Sequence, residues 1–298
     1  MKVLVSGSSG FVGSVLQRYL CDLGHEVIRL VRSSSRVGKT EVFWDPAGGV
    51  LDLVELKGCD AVIHLAGENL ATGRWTQAKK ERIRASRIQS TRLLAETIAR
   101  LESPPKILAS ASGIGIYGNR GDELLTEESP AGNGFLADIC GDWEEGTAPA
   151  AERGVRVVQM RFGMILSPQG GALKEMLPPF RLGLGAVLGH GEQHWSWVTI
   201  DDTIRAIHHV LVSEPLSGPV NIVSPAPVSN RGFTKQLAAV LKRPAFMTVP
   251  AFAARLIFGE MANEMLLSSA RVQPQKLLNS GFQFRHSRLS EALENLLR

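Results

Sequence analysis

The sequence predicts an α/β protein: a doubly wound parallel sheet that carries a smaller, mostly helical C-terminal part. Three observations predict it. Short apolar runs alternate with helix-length amphipathic runs through the first two thirds of the 298 residues. Three glycines, Gly7, Gly10 and Gly13, follow the first apolar run at once. After Gly163 the texture changes to a stretch dense in Gly and Pro that carries two of the five tryptophans.

Taken in order, Val3, Leu4 and Val5 form a short buried strand that ends at a glycine. Val12, Leu16 and Leu20, with Val15, Tyr19 and Leu23, then recur at helical spacing until Gly24 supplies a stop. Further strands are expected at "HEVIRLVR", "TEVFW", "CDAVIHLAG", "KILASAS" and "VRVVQMRFG", with a long helix from about Trp75 to Leu101. Strands separated in this way by helices imply parallel βαβ units with right-handed crossovers. In such sheets ligands sit at the carboxyl ends of the strands, and the glycine triplet, "HLAG" and "SASG" all fall there. Residues 1–163 are read as the main domain, with 201–223 returning to it. Residues 164–200 and 224–298 are read as a smaller substrate-binding part, in which the glycine-rich stretch 170–191 forms a loop-like lid. Asp201 in "WVTIDD" is read as a helix N-cap.

Composition narrows the function classes. A hydrophobic share of 44% and a charged share of 21% exclude a disordered chain. The net charge of +4 is mild, and no Lys/Arg run is interleaved with aromatics, so nucleic acid is not an expected partner. No apolar window is long enough to span a membrane; "VPAFAARLIFG" is interrupted by Arg255, and "MKVLVSG" is too short for a signal peptide. Cys21, Cys59 and Cys140 are odd in number and unpaired in spacing, which fits a reducing cytoplasm. His190 and His194 lie in a glycine-rich stretch without a Cys or carboxylate cluster, so no metal site is expected.

The glycine turn between strand and helix fits a phosphate cradle. Missing Cβ atoms let the backbone of Gly7, Ser9, Gly10, Phe11, Val12 and Gly13 approach a pyrophosphate, whose charge meets free N–H groups at the helix N-terminus. Leu65, Ala66 and Gly67 end a neighbouring strand and join the cofactor set. In dinucleotide folds the position about twenty residues after the glycines selects the cofactor: an acidic residue binds the ribose hydroxyls, an arginine accommodates a 2′-phosphate. Arg32 stands 19 residues beyond Gly13, with Ser33 beside it. No Asp or Glu occurs from Val27 to Thr40, whereas Arg29, Arg32, Arg36 and Lys39 do. NADP(H) is therefore expected over NAD(H).

These motifs carry a resemblance. GxxGxxG after the first strand, "HLAG" after the fourth, "SASGIGIYG" after the fifth, "TEESP" and "WVTIDD" make the chain similar to extended short-chain dehydrogenases/reductases of the nucleotide-sugar epimerase type. More narrowly, "HLAGENL", "RWT", "SRIQSTRLL", "GGAL", "FRLGLG" and "SWVTIDD" resemble the epimerase family protein group found from bacteria to mitochondria, sometimes labelled a cell-division inhibitor. The resemblance covers essentially the whole chain. It implies a Rossmann-type sheet, an NADP(H) cofactor and a small-molecule, nucleotide-sugar-like substrate, and it is compatible with a homodimer.

The resemblance also implies a catalytic Ser or Thr, and a Tyr followed four residues later by Lys, whose charge brings a phenol that titrates near pH 10 towards working pH. Ser112 matches the hydroxyl, and Tyr117 matches the tyrosine of the broader "YG" motif. The Tyr–Lys pair is missing. Tyr19 and Tyr117 are followed four residues on by Leu23 and Gly121, and the usual positions hold Leu136 and Cys140. Asp138 and Asp142, one helical turn apart, are candidate bases, against the alternative of a solvated helix face. Arg161, Trp195 and Trp197 are candidates for substrate contact, against the alternative of interior packing with a paired guanidinium. The function read from this is an NADP(H)-binding oxidoreductase or epimerase-like enzyme with an unusual acid/base arrangement. The alternative is an NADPH-binding regulator without turnover that acts through a protein partner.

Overall fold

The computed structural model describes residues 1–33, 38 and 40–298. The first βα unit is β1 (Lys2–Ser6) and α1 (Phe11–Asp22). It is followed by β2 (Glu26–Val31), β3 (Glu41–Asp45), the short β4 (Val50–Leu51) and β5 (Ala61–His64). The long α2 (Gln77–Ala99) opens on Thr76, whose side chain accepts from the Lys79 N–H. Then come β6 (Ile107–Gly113), β7 (Leu124–Leu125), α3 (Phe135–Glu145), α4 (Ala148–Glu152) and β8 (Arg156–Phe162).

Beyond β8 the chain alternates small elements: β9 (Met164–Leu166), α5 (Gly171–Arg181), β10 (Ala186–Leu188), β11 (His194–Trp195) and β12 (Trp197–Thr199). Next are α6 (Ile200–Val212), β13 (Gly218–Ile222), β14 (Val228–Ser229), α7 (Asn230–Leu241) and β15 (Met247–Val249). The chain closes with α8 (Ala251–Phe258), β16 (Arg271–Val272), α9 (Gln275–Asn279) and α10 (Leu289–Leu297).

Among the described residues the main sheet has the order β13-β8-β6-β5-β1-β2-β3-β4. Only the β3–β4 edge is antiparallel. From β1 the chain builds outward through β2 and β3, then returns to the other side of β1 for β5, β6, β8 and β13. The order therefore reverses between β1 and β5, where an open α/β sheet forms a ligand crevice at its carboxyl edge.

Side chains alternate across the sheet, so each strand feeds two cores. Val3, Val5 and Ile63 pack with Leu16 and Leu20 of α1 and Ile204 and Ile207 of α6 on one face. Leu4 and Val62 pack with Trp44 and with Leu94 and Ile98 of α2 on the other. A third cluster joins Leu166, Leu173, Leu177, Phe180, Trp197, Phe233, Leu237 and Leu293, all from beyond β8.

Two expectations change here. The stretch 170–191 is not loop-like, because it contains α5 and β10; Leu173, Leu177 and Phe180 recur at helical spacing and anchor α5 in the third core. Asp201 is not the N-cap of α6. Thr199 takes that place, its hydroxyl accepting from the Asp202 N–H at 3.1 Å, while Asp202 is fully buried and accepts from the backbone of Arg285 and His286.

His64, at the end of β5, is fully buried between Ser6 Oγ at 2.6 Å and Ser90 Oγ at 3.1 Å. Burial pushes its pKa down to about 3. The unfolded chain takes up this proton near pH 6.5, whereas the folded chain excludes it, so the stability is full above pH 6.5 and is lost as pH falls towards 3, at up to about 1.4 kcal/mol per pH unit. Between pH 7 and 5 urea denaturation should show about 2 kcal/mol of loss from this group, and His64→Gln should remove that part of the slope.

Candidate functional site

The site begins where backbone passes over backbone at the carboxyl ends of β1 and β5. Gly7 has φ +69°, and a Cβ there would lie 2.7 Å from the Leu65 carbonyl carbon and 2.8 Å from the Ala66 nitrogen. A Cβ on Gly13 would lie 2.2 Å from the Gly7 oxygen. Gly10 is less constrained, with the same oxygen at 3.1 Å, and its N–H donates to it. The turn thus seats α1 directly on the strand end. Its first helical positions, Phe11, Val12 and Gly13, stand at a terminus with no acidic residue in the first turn and no side-chain cap. A helix start of this kind favours an anion. Ser9 and Gly10 are exposed, and Phe11 and Val12 are half-buried beside them. Gly170 and Gly171 of the C-terminal part lie against the Phe11 ring, so closely that a Cβ on Gly170 would meet it at 2.4 Å.

Arg32 follows β2 and is exposed, with Ser33 half-buried next to it. Arg36 and Lys39 lie outside the described residues. Glu68 follows "HLAG" and links three cations: Lys79 donates to it at 2.7 Å, Arg82 approaches to 4.0 Å, and Arg32 is near enough to be felt. The Lys79 hydrogen bond is the main reason that the Glu68 carboxyl lies below the usual carboxylate range.

Sequence reasoning missed two residues of this region. Arg87, on α2, is buried; its guanidinium lies beside Gly67, whose Cβ would meet the Arg87 Cζ at 3.4 Å, and over the Trp143 ring at 4.9 Å. It donates to the Ile83 carbonyl, it has no carboxylate in ion-pair range among the described residues, and burial lowers its pKa against the smaller opposing effects of Cys140 and Glu68. A buried cation without an acidic partner is costly unless a ligand supplies the anion. The second is Glu144, on α3. Ser112 Oγ donates to Glu144 Oε1 at 2.7 Å, and Arg161 Nε and Nη2 hold the same carboxylate at 2.8 and 2.7 Å. Arg161 Nη1 also donates to the Tyr117 hydroxyl at 2.9 Å, which donates in turn to Asn221 Oδ1 at 2.8 Å. Burial opposes the Arg161 charge, but Glu144 and Tyr117 outweigh it and hold its pKa above the ordinary arginine value.

These contacts define roles. Ser112, Glu144, Arg161, Tyr117 and Asn221 form one chain of bonds joining β6, α3, β8, a 3-10 turn over Ile114–Tyr117 and β13. Tyr117 is fully buried and its phenol pKa is raised by that burial. Leu136 carries no proton to move, and Cys140 is buried with its thiol pushed up to about 11, mainly by desolvation and then by Glu144. The pair at the usual Tyr–Lys positions is therefore uncharged near neutral pH. Asp142 is engaged by Arg84 and Asp138 is exposed, so Glu144 is the carboxylate at Ser112.

The tryptophans are corrected. Trp197 is fully buried, its Nε1 donating to the Ala226 carbonyl, and Trp195 packs edge-on against Phe233 in the same core. Both take the interior packing that was the alternative to substrate contact. Among the described residues no group of three or more His, Cys, Asp or Glu could hold a metal.

A model of the NAD dependent epimerase/dehydratase family matches residues 3–222, and one described as a domain of unknown function matches residues 249–296. The chain is 43% identical over 291 residues to the epimerase family protein Mb2239 of Mycobacterium bovis, covering 98% of this chain and 96% of that one. The crystal structure of human epimerase family protein SDR39U1 with NADPH is 33% identical, with a TM-score of 0.90 and 99% of each chain covered. A nucleoside-diphosphate sugar epimerase structure from Corynebacterium glutamicum is 37% identical with a TM-score of 0.83, over 99% of this chain and 58% of that one.

The buried pair gives a stability test. Arg161→Met leaves the Glu144 carboxylate enclosed without a counter-charge, since the two side chains are only 8% and 14% exposed. The variant should lose about 3–5 kcal/mol in chemical denaturation, and adding Glu144→Gln should restore part of it, because the second change removes the stranded charge.

Proposed function

The chain belongs to the NAD dependent epimerase/dehydratase family, and from that premise we propose that it binds NADP(H) and acts as an oxidoreductase or epimerase-like enzyme on a small, nucleotide-sugar-like substrate. The observation that carries the proposal is the close backbone approach of Gly7, Gly13 and residues 65–66 at a helix start without acidic residues. In this reading Gly7, Ser9, Gly10, Phe11, Val12 and Gly13 hold the pyrophosphate, Leu65, Ala66 and Gly67 form the floor, and Arg32 with Ser33 meets the 2′-phosphate. NADPH in the human relative's crystal structure supports the choice of cofactor, and the Corynebacterium relative's name supports the substrate class. Residues 164–200 and 224–298 form the substrate side, with the start of α5 against Phe11. Free cysteines fit a cytoplasmic setting.

A bound dinucleotide would supply hydride exchange. Proton handling falls to Ser112 and Glu144. The single Ser112 proton is committed to a carboxylate that Arg161 fixes in place, so the lone pairs of Ser112 Oγ are what a ligand meets. A substrate hydroxyl donates to that oxygen, and its proton moves to Ser112 as the Ser112 proton moves to Glu144 Oε1. Arg161 positions the carboxylate and does not touch the substrate. The competing reading, a regulator that binds NADPH without turnover, is favoured by the uncharged Leu136 and Cys140.

A charge-assisted contact contributes roughly 1.5–3 kcal/mol, so NADPH should bind about tenfold to a hundredfold tighter than NADH. Arg32→Asp should remove or invert that preference, and Gly13→Val should weaken both cofactors. Ser112→Ala should leave NADPH affinity unchanged while lowering turnover of any substrate found. Calorimetric titration with each dinucleotide decides the first claim: equal affinities would show that Arg32 does not read the 2′-phosphate.

A further inference from the structure

Away from the cradle the C-terminal part presents large apolar side chains to solvent. Phe246 is 85% exposed, Phe252 71%, Leu256 74% and Leu182 75%, with Leu184 and Ile257 also exposed. They belong to adjoining elements. β10 and β15 pair in parallel, Ala186 opposite Met247, and Gly183 lies against Pro244, which sets the Leu182–Leu184 link beside the approach to β15. Pro250 then leads directly into α8, which carries Phe252, Leu256 and Ile257. An apolar surface of this size on a soluble domain marks an interaction site.

Its charge says what kind. The sequence has no acidic residue between Glu214 and Glu260, nor from Met176 to Gly191. The same segments expose Arg181, Lys242, Arg243 and Arg255, and the side chain of Arg255 is bonded to the neutral Asn263 amide. Of the carboxylates that border these segments in sequence, Glu260 accepts from Lys80 and Glu192 from Arg231, Glu264 farther on accepts from the Leu136 N–H, and Glu175 is exposed on α5. Two copies meeting through this face would set cations against cations, which disfavours a symmetric dimer there.

We propose that this face docks on an anionic lipid surface, its apolar side chains entering the headgroup boundary while Arg181, Lys242, Arg243 and Arg255 meet lipid phosphates. This is an interfacial contact and not a span: among the described residues no helix is long and apolar enough to cross a membrane. Each cation at an anionic bilayer contributes to binding that salt screens, and the aliphatic and aromatic residues add a part that salt does not remove.

The test is sedimentation of the full chain with vesicles of phosphatidylcholine alone, or with one third phosphatidylglycerol, at low and high salt. Binding is expected to the anionic vesicles and to be at least about tenfold weaker on the neutral ones, weakening as salt is added. Phe252→Asp with Leu256→Asp, and separately Lys242→Glu with Arg243→Glu, should each reduce it at least about tenfold while the thermal unfolding followed by circular dichroism stays unchanged. Equal binding to both vesicles, no sedimentation with either, or a dimer in equilibrium sedimentation that the Phe252 and Leu256 changes dissociate would each overturn the proposal.

Discussion

The molecule depends on the closeness of α1 to the end of β1. With only hydrogens on Gly7 and Gly13, the helix starts within a few residues of the strand, and the Gly7 oxygen occupies space that any Cβ on Gly13 would claim. That seating aims Leu16 and Leu20 into the core under Val3 and Val5, and it leaves the first helical amides at the sheet's carboxyl edge. Gly7 does the same for the neighbouring strand, letting the Leu65–Ala66 peptide pass over the turn. Because the strand order reverses between β1 and β5, the cradle and the crevice are one place. A larger residue at either glycine would move packing and binding together.

The second constraint is electrostatic. A buried ion pair is rarely the most stable filling of a space, since desolvation offsets much of its attraction and apolar residues of similar volume do as well. The Glu144–Arg161 pair is nonetheless enclosed, and bidentate contact fixes the orientation of its carboxylate. Arg161 lies on the strand beside Ser112 in register, and Glu144 reaches them from α3, so the pair ties a sheet position to a helix position. The geometry serves to position Ser112, and the Tyr117–Asn221 extension keeps Arg161 from swinging away.

Much of this was legible in the sequence, for physical reasons that also explain what was not. Strands covered on both faces read as unbroken apolar runs, which is why β1, β2, β5, β6 and β8 stand out. Two-residue strands such as β4, β11 and β14 have no run long enough to show a period. α5 reads as a loop because Gly170, Gly171 and Gly183 bracket it, although Leu173, Leu177 and Phe180 carry the helical period. Trp195 and Trp197 resemble stacking platforms only until the third core closes over them. Glu144 belongs to no motif, because the positions matched to the Tyr–Lys pair hold Leu136 and Cys140; its signal is that it lies one helical turn beyond Cys140 on the same face. Arg87 sits inside the quoted "SRIQSTRLL", but nothing in that string says that its guanidinium is buried without a carboxylate.

The chemistry that follows from Glu144 differs in sign from a Tyr–Lys pair. A lysine beside a phenol stabilises an anion on the group that meets the substrate, making that group a base and, once protonated, a donor. Here the anion is one bond further away, on Glu144, and its cation is behind it, so Ser112 is polarised with its hydrogen pointing inward. Cys140 cannot restore the missing positive charge, because a thiol held near 11 is neutral at ordinary pH and would be negative if ionised. A cation without an ion pair among the described residues is Arg87, whose guanidinium borders Gly67. A ligand that suits this arrangement brings a hydroxyl to Ser112 and an anionic group to Arg87. In the reading proposed above, a dinucleotide phosphate and a polyhydroxylated substrate together meet both demands, whereas a lone neutral ketone meets neither.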